Sequence, residues 1–438
     1  MKYKIESLGC SKNLVDSEEM VYILSQKGYE MTDDISKADF AIVNTCGFIE
    51  DAKKESIQTI FDVAEYKKQN LKYLIVTGCM VQRYYKNLKE EIPEIDALLG
   101  TTSYDMIDSV IKGLMIGKNK SLILNPNKEL SHENKKNLTA KYYSYLKIAE
   151  GCDNSCTYCI IPALRGRYKS KKKEQIINEA KKLASNGVKE LILIAQDTSK
   201  YGLDLYDKKI LPELLQELSE IAGLKWIRFL YTYPEDITDE LVDVVAKNEK
   251  ICSYFDIPVQ HSNDRILKLM NRSTSKKDIL SKINLIRSTI PDAVIRTTLI
   301  TGFPTETETE HKQLVKFIKQ VKFDKLGAFT YSREEGTVAG NMNEQIKEDV
   351  KLARQKEIMD AQYEIVQEKN KALLGKTFEV VIDEINADYL VARSYRDVIE
   401  VDTVIIVKDF SDKPSVGDFI KVEITDILDY DLEGKEVI

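Results

Sequence analysis

The pattern of apolar and polar positions divides this chain of 438 residues into three regions. In the first, residues 1–116, short apolar runs alternate with segments of helical periodicity. A helix is predicted over residues 16–27, where Met20, Ile23 and Leu24 share one face. The predicted strands are residues 3–8, 40–43 and 73–76. Alternation of strands and helices predicts a parallel sheet with helices packed on it.

The second region, residues 142–374, repeats a strand–loop–helix unit. It follows a polar segment rich in Asn and Lys, residues 117–141, which is predicted to be a linker. The predicted strands are residues 145–149, 191–195, 226–231, 254–257, 294–300 and 327–331. Six such units predict a partial (β/α)6 barrel, open at one side, with its chemistry at the carboxyl ends of the strands. A charged stretch, residues 344–371, is predicted to form a long solvated helix.

The third region, residues 375–438, has four short predicted strands separated by Gly, Pro and Asp clusters: residues 378–382, 389–392, 404–407 and 419–424. This pattern predicts a small antiparallel β-barrel of the oligonucleotide-binding kind. The fold class is therefore α/β, with a small all-β domain at the carboxyl end.

Charge and composition narrow the classes of partner and location. The chain carries a formal net charge of −7, and from Lys376 onward it has 7 Lys or Arg against 16 Asp or Glu. An acidic barrel repels phosphate and attracts basic partners, although acidic residues can also simply promote solubility. No run of about 18 uncharged apolar residues is present, so no membrane span is expected. Seven cysteines and a start without an apolar signal core predict a reducing, cytoplasmic location.

Three of the seven cysteines form a C-x3-C-x2-C triplet directly after the first predicted barrel strand: Cys152, Cys156 and Cys159. Three thiolates on one loop can bind three irons of a [4Fe–4S] cluster and leave the fourth iron open. The alternatives are a chance group of buried thiols and a zinc loop. Zinc normally needs a fourth Cys or His at a matching spacing, and the sequence has no such residue.

Three more cysteines each follow a predicted strand of the first region: Cys10, Cys46 and Cys79. Because the carboxyl ends of parallel strands share one edge of a sheet, these thiols are expected to converge there. They would form a second site of three thiolates with one open iron. The alternative is that each is an unrelated buried residue, since free cysteine packs as a small hydrophobe.

The segment 150–159 closely resembles the signature of the radical S-adenosylmethionine (radical SAM) superfamily. The resemblance implies that the open iron binds S-adenosylmethionine and that an electron from the cluster cleaves it to a 5′-deoxyadenosyl radical. Tyr158 matches the family pattern and is expected near the adenine. Other candidate contacts follow predicted strands, where ordinary loop capping is an equally good explanation: Gln196, Asp197, Gln260, Gly302 and Phe303.

The whole chain resembles the methylthiotransferases, which combine an amino-terminal domain, a radical SAM barrel and a tail domain called TRAM. Four segments are similar to the branch that modifies a ribosomal protein rather than tRNA: residues 7–18, 44–49, 160–166 and 196–199. Ser11 and Thr305 depart from that pattern, which usually has proline and glycine there. Neither departure removes a ligand, although Thr305 leaves its loop less free to adopt a positive φ.

The resemblance implies methylthiolation of the β-carbon of an aspartate in a basic small-subunit ribosomal protein. Two [4Fe–4S] clusters, two molecules of S-adenosylmethionine, an electron donor and a sulfur donor are expected with it. One alternative is a tRNA adenosine methylthiotransferase, which would predict a basic tail. Another is an RNA- or ribosome-binding module with a structural cluster, which would leave the second cysteine trio without a purpose.

Overall fold

The structure, a computed structural model, describes residues 1–118, 121–128, 134–411 and 414–437. The predicted linker, residues 117–141, lies partly outside these ranges. Its described parts pack on the amino-terminal region: Leu122 forms a parallel bridge with Leu99, and the Lys135 ammonium pairs with the buried Glu18 carboxylate at 2.6 Å. Within the described ranges, no helix combines the length and apolar character needed to cross a bilayer.

The amino-terminal region is a five-stranded parallel sheet in the order β2-β1-β3-β4-β5. Its strands are β1 (Lys2–Ser7), β2 (Glu30–Met31), β3 (Phe40–Thr45), β4 (Tyr73–Gly78) and β5 (Ala97–Leu99). Its helices are α1 (Ser11–Gln26), α2 (Glu50–Ala64), α3 (Cys79–Glu91) and α4 (Ile107–Met115). The three predicted strands are confirmed. The edge strands β2 and β5 have two and three residues, too few for a periodic signal.

Helices cover both faces of this sheet because its central strand is apolar on both sides. Phe40 and Ile42 of β3 pack in one core with residues of α1 and α4. Ala41 and Val43 point the other way and pack with residues of α2 and α3. A continuous apolar run is typical of a parallel strand buried on both faces.

The central region is the predicted partial barrel. Two parallel three-stranded sheets, β6-β9-β10 and β11-β12-β13, are joined by a parallel bridge between Ile227 and Ile251. The six strands are β6 (Tyr143–Lys147), β9 (Glu190–Ile194), β10 (Trp226–Phe229), β11 (Tyr254–Asp256), β12 (Val294–Thr301) and β13 (Lys325–Thr330). A short antiparallel ribbon, β7 (Ala149–Glu150) with β8 (Lys169–Ser170), flanks the cysteine loop. All six predicted barrel strands are confirmed.

Helices α5 to α13 accompany these strands: α5 (Ile161–Arg165), α6 (Lys173–Ser185), α7 (Leu203–Tyr206), α8 (Leu211–Ser219), α9 (Asp239–Lys247), α10 (Asp264–Leu269), α11 (Lys276–Thr289), α12 (Glu308–Val321) and α13 (Glu348–Lys371). Helix α13 is the predicted charged helix, but it is not solvated on all sides. It packs on β13 and α12 and buries Ile358, Ala361 and Ile365. The high charge of its exposed face masked this narrow apolar stripe in the sequence.

The tail is a closed five-stranded barrel in the order β14-β15-β16-β18-β17. Its strands are β14 (Thr377–Ile385), β15 (Leu390–Ser394), β16 (Ile405–Val407), β17 (Phe419–Leu428) and β18 (Asp431–Glu436). The predicted barrel is confirmed, with β18 added and one pair, β16 with β18, parallel. Strand β18 returns antiparallel to β17 through a tight turn, so it runs in the same direction as β16 and closes the barrel.

Candidate functional site

Cys10, Cys46 and Cys79 lie at the carboxyl ends of the adjacent strands β1, β3 and β4. Cys10 directly precedes α1, Cys46 follows β3, and Cys79 is the first residue of α3. The parallel registers of β1 with β3 and of β3 with β4 align the last residues of these strands. The structure therefore brings the three cysteines to one edge of the sheet.

Two glycines permit the close approach of the loops that carry these cysteines. Gly9 has φ of +86°, and a Cβ atom there would lie 2.7 Å from the Cys46 Cβ and 3.1 Å from its Sγ. Gly78 has φ of +101°, and a Cβ atom there would lie 2.5 Å from the Thr45 carbonyl oxygen. Both positions favour glycine because of their positive φ and because no space remains for a side chain.

Asn13 connects the three loops. Its buried amide donates to the carbonyl oxygens of Leu8 at 2.9 Å and Thr45 at 3.0 Å. Its Oδ1 lies 3.8 Å from the Cys79 Sγ and accepts a hydrogen bond of 2.5 Å from Arg165. One side chain thus holds the ends of β1 and β3 beside α3, and it also contacts the barrel domain.

Arg165 belongs to the barrel domain but contacts the amino-terminal domain. It lies six residues after Cys159, is almost fully buried, and pairs with Asp16 at 2.9 Å and Glu150 at 3.0 Å. Lys147 bridges the same two carboxylates. Burial acts to raise the pKa of Glu150, but Arg165 and Lys147 outweigh it and hold this pKa well below its usual range.

Two thiols of the amino-terminal trio, those of Cys46 and Cys79, are desolvated and lie near the Arg165 guanidinium, whereas Cys10 is exposed. Burial raises the pKa of Cys79 to about 12 and raises that of Cys46, while the Arg165 charge opposes both shifts. Burial therefore favours neutral thiols in the bare protein, so thiolates here need a cation beside them. All three cysteines are free, which suits a thiolate-ligated iron–sulfur group.

Cys152, Cys156 and Cys159 share the loop between β7 and α5. The amide N–H groups of Asn154 and Ile161 donate to the Sγ atoms of Cys152 and Cys159, each at 3.4 Å. Burial raises the pKa of Cys152 to about 11 and that of Cys159 to about 12, against the influence of these donors. Amide donors aimed at sulfur are suited to stabilising thiolates.

A second arginine lies beside this triplet. The Arg272 Nη1 is 4.0 Å from the Cys156 Sγ, and its guanidinium stacks 4.0 Å from the centroid of the Tyr233 ring. The Tyr233 hydroxyl lies 3.9 Å from the same sulfur. These side chains border a polar cavity of about 230 Å³. Each cysteine trio is therefore accompanied by one buried arginine.

Three of the residues predicted to contact S-adenosylmethionine lie next to the triplet loop. The Asp197 carboxylate accepts a hydrogen bond of 2.7 Å from the Asn154 side chain, and burial raises the pKa of Asp197. Tyr158, within the triplet, packs against the apolar cluster that contains the fully buried Phe303. These three residues can border a ligand bound at the triplet.

The other three predicted residues lie at strand ends of the same barrel. The Gln196 amide donates to the Glu150 carboxylate at 2.7 Å and so belongs to the ion network of Arg165. Gln260, four residues after β11, and Gly302, directly after β12, both have positive φ, +67° and +69°. Gln260 bonds to the backbone of β12, and the Gly302 amide donates to the Glu306 carboxylate.

Within the described part of the chain, no group of three or more His, Cys, Asp or Glu side chains is arranged to hold a metal ion. The assignment of the six cysteines as cluster ligands stays a prediction. Its support is the chemistry of three free thiols in each site together with an adjacent arginine.

Sequence reasoning missed several residues of these sites. Asn13 and Arg165 lie inside the segments 7–18 and 160–166, which carried the resemblance, so their nearness to Cys10 and Cys159 was an available signal. Arg272 had no such signal, because only folding brings it to the triplet.

Three family models match successive parts of the chain. The model described as uncharacterized protein family UPF0004 matches residues 2–100. The radical SAM superfamily matches residues 146–318, and the TRAM domain matches residues 374–437. The radical SAM match implies a [4Fe–4S] cluster and S-adenosylmethionine.

Solved structures of radical SAM enzymes share the fold. The methyltransferase TsrM from Kitasatospora setae is 13% identical, with a TM-score of 0.57 over 77% of this chain and 73% of that chain. The cobalamin-dependent enzyme OxsB is 13% identical, with a TM-score of 0.51 over 83% of this chain and 57% of that chain. At this identity the likeness concerns the fold alone.

Curated relatives match over nearly the full length. The ribosomal protein uS12 methylthiotransferase RimO of Clostridioides difficile (strain 630) is 55% identical over 99% of this chain and 98% of the relative. The protein of the same name from Thermoanaerobacter sp. (strain X514) is 51% identical over 98% of this chain and 99% of the relative. The chain therefore belongs to the RimO family of ribosomal protein uS12 methylthiotransferases, which are radical SAM enzymes.

Proposed function

We propose that this chain inserts a methylthio group at the β-carbon of an aspartate in ribosomal protein uS12. The observation that carries the proposal is 55% identity, over 99% of the chain, to a protein named for acting on uS12. A cytoplasmic location follows from a ribosomal substrate. The rival tRNA substrate is disfavoured by the acidic tail, because nucleic-acid affinity depends mainly on cationic contacts to phosphate.

Two [4Fe–4S] clusters fit the two cysteine trios. Cys152, Cys156 and Cys159 would hold the cluster that binds S-adenosylmethionine, with Tyr158, Asp197 and Phe303 beside it. Cys10, Cys46 and Cys79 would hold the second. When bound, these groups supply the radical that removes hydrogen from an unactivated C–H bond and the methylthio group that replaces it. The reaction also needs an electron donor and a sulfur donor.

The chain's own residues position the two sites against each other. Arg165 lies in the loop after the triplet and bonds to Asn13, the residue that organises the amino-terminal trio. Asp16 and Glu150 pair with the same guanidinium from opposite domains. This buried network, together with the packing of Cys79 against Ile160 and Leu164, supports an arrangement in which the two proposed sites lie at the same interface between domains.

The tail offers a surface suited to a basic protein substrate. With 7 basic and 16 acidic residues from Lys376 onward, it attracts cationic partners and speeds their association at low ionic strength. This agrees with a basic ribosomal protein as the partner.

The test is turnover by protein prepared without oxygen and reconstituted with iron and sulfide. The reaction contains S-adenosylmethionine, dithionite, a sulfide source and purified uS12. We expect mass spectrometry to find uS12 heavier by one methylthio group on one aspartate. The Cys156→Ala variant should leave uS12 unmodified. Unmodified uS12 with the intact enzyme, or modification of tRNA instead, would contradict the proposal.

A further inference from the structure

Lys12 lies between the two domains, two residues after Cys10. It is in the first turn of α1 and only 7% exposed. Its ammonium nitrogen lies 3.4 Å from the centroid of the Tyr231 ring, which belongs to the barrel domain. Lys12 thus extends from the amino-terminal cysteine site onto the mouth of the barrel.

Tyr231 is a fixed contact rather than a loose surface residue. It follows β10 with φ of +63°, an uncommon conformation for a residue with a side chain. Its amide donates to the Asp256 carboxylate at 3.1 Å, and its carbonyl accepts from the amide of Thr198 at 3.1 Å. These bonds join the ends of three neighbouring barrel strands, the positions where barrel chemistry takes place.

In the described part of the chain, Lys12 has no anionic partner. Among the described residues, no carboxylate lies within ion-pair distance of it and no hydrogen bond from its ammonium is formed. Other buried lysines of this chain are paired; Lys135 and Lys147 each contact at least one carboxylate. The contact with the Tyr231 ring leaves the Lys12 charge without a counter-ion.

We propose that Lys12 binds the carboxylate of the substrate aspartate and so fixes which residue of uS12 is modified. The inference rests on the proposed function. In aspartate the β-carbon is bonded directly to the carboxylate carbon. Pairing of that carboxylate with Lys12 would therefore hold the β-carbon between the Cys10 loop and the strand ends of the barrel. The substrate thereby supplies the anion that the folded chain lacks. Asparagine has the same shape without the charge and would be discriminated against.

The test is a double-mutant cycle on binding, which does not depend on turnover. Affinities are measured for uS12 and for uS12 with its modified aspartate replaced by asparagine, against the intact enzyme and Lys12→Met. A buried charged hydrogen bond predicts that the intact enzyme binds the asparagine protein roughly tenfold to hundredfold more weakly. Lys12→Met should bind both proteins equally weakly. If the intact enzyme and Lys12→Met showed the same ratio of affinities for the aspartate and asparagine forms of uS12, the proposed role of Lys12 would be wrong.

Two controls distinguish a specific role of Lys12 in substrate binding from a general effect of removing a lysine and from a role in binding S-adenosylmethionine. Lys27→Met removes an exposed lysine just after the same helix and should keep the discrimination. S-adenosylmethionine also carries a carboxylate, so its affinity is measured with both enzymes. A loss of that affinity in Lys12→Met, with discrimination unchanged, would assign Lys12 to the cofactor and overturn the proposal. If the intact enzyme leaves uS12 unmodified, the proposed function itself fails.

Discussion

Gly9 determines how closely the first cysteine loop can approach the second. Its φ of +86° and the short distance from its position to Cys46 leave no room for a methyl group. Gly28 has a similar φ, +79°, but no atom within 4 Å of where a Cβ would lie. Substitutions at these two glycines can therefore distinguish the effect of backbone strain from the effect of steric contact.

We expect Gly9→Ala to displace the Cys46 thiol and to lower the iron content of the amino-terminal site. Gly28→Ala should cost only about 1 kcal/mol of stability through its backbone conformation and should keep the iron. Iron analysis is done in a background where the triplet cysteines are alanine, so that only the amino-terminal site is counted. Equal iron in the two variants would show that the contact with Cys46 is unimportant.

Arg165 is the residue whose loss should affect both domains. Removing one member of a buried ion pair leaves an uncompensated charge and costs about 3–5 kcal/mol. We expect Arg165→Met to lower the thermal unfolding midpoint and to make the reduction potential of the amino-terminal cluster more negative, since a nearby positive charge favours the reduced state. A potentiometric titration with the triplet cysteines replaced by alanine measures that potential.

Arg167→Met is the matched control, because this arginine lies two residues away with an exposed side chain. Its midpoint and potential should equal those of the intact protein. A potential that Arg165→Met leaves unchanged would mean that the guanidinium is only a structural link.

At the scale of elements, the positions of the strand ends could be predicted from the sequence better than the side-chain contacts between distant segments. The apolar runs of β1, β3 and β4 located three cysteines at equivalent positions, and the structure places them at one edge. The strand β18 was missed because polar residues interrupt its apolar pattern. Arg272 and the contact of Lys12 with Tyr231 could not be predicted, since they join segments distant in the chain.

The arrangement of the strand ends leads to a prediction about cluster number. If each trio holds its own four-iron cluster, replacing Cys10, Cys46 and Cys79 by alanine should halve the iron bound per chain, because thiolates are the ligands. Replacing the triplet should halve it too and should also abolish 5′-deoxyadenosine formation. Iron and acid-labile sulfide analysis measures both. If the first replacement left the iron content unchanged, the chain would not hold a second cluster at these cysteines.

On the scale of the whole molecule, a buried ionic group lies on each side of the barrel domain. Arg165 pairs with residues of the sheet domain, and Arg393 of the tail pairs with Glu190 of the barrel at 2.5 Å. Arg393 also pairs with Asp383 at 3.0 Å, and the Tyr142 hydroxyl donates to Asp383 at 2.5 Å. The relative placement of the three domains is therefore defined by specific charges as well as by apolar contact.

The interface with the tail should make stability depend on pH in a definite direction. Burial raises the pKa of Asp383 to about 6, against the opposing charge of Arg393. The folded chain then binds this proton at a higher pH than the unfolded chain, whose aspartate has a pKa of about 3.9. Asp383 therefore makes the folded state more stable as the pH falls through about 6, and less stable as the pH rises.

As the pH falls from 7.5 to about 5.5, we expect the thermal midpoint of the intact protein to rise relative to that of Asp383→Asn. The asparagine keeps the shape of the side chain but cannot titrate, so the comparison cancels the other ionisable groups. Asp388→Asn, at an exposed position of the same barrel, should run parallel to the intact protein. If Asp383→Asn also ran parallel, the Asp383 carboxylate would be ionised throughout this range, and Arg393 rather than burial would control it.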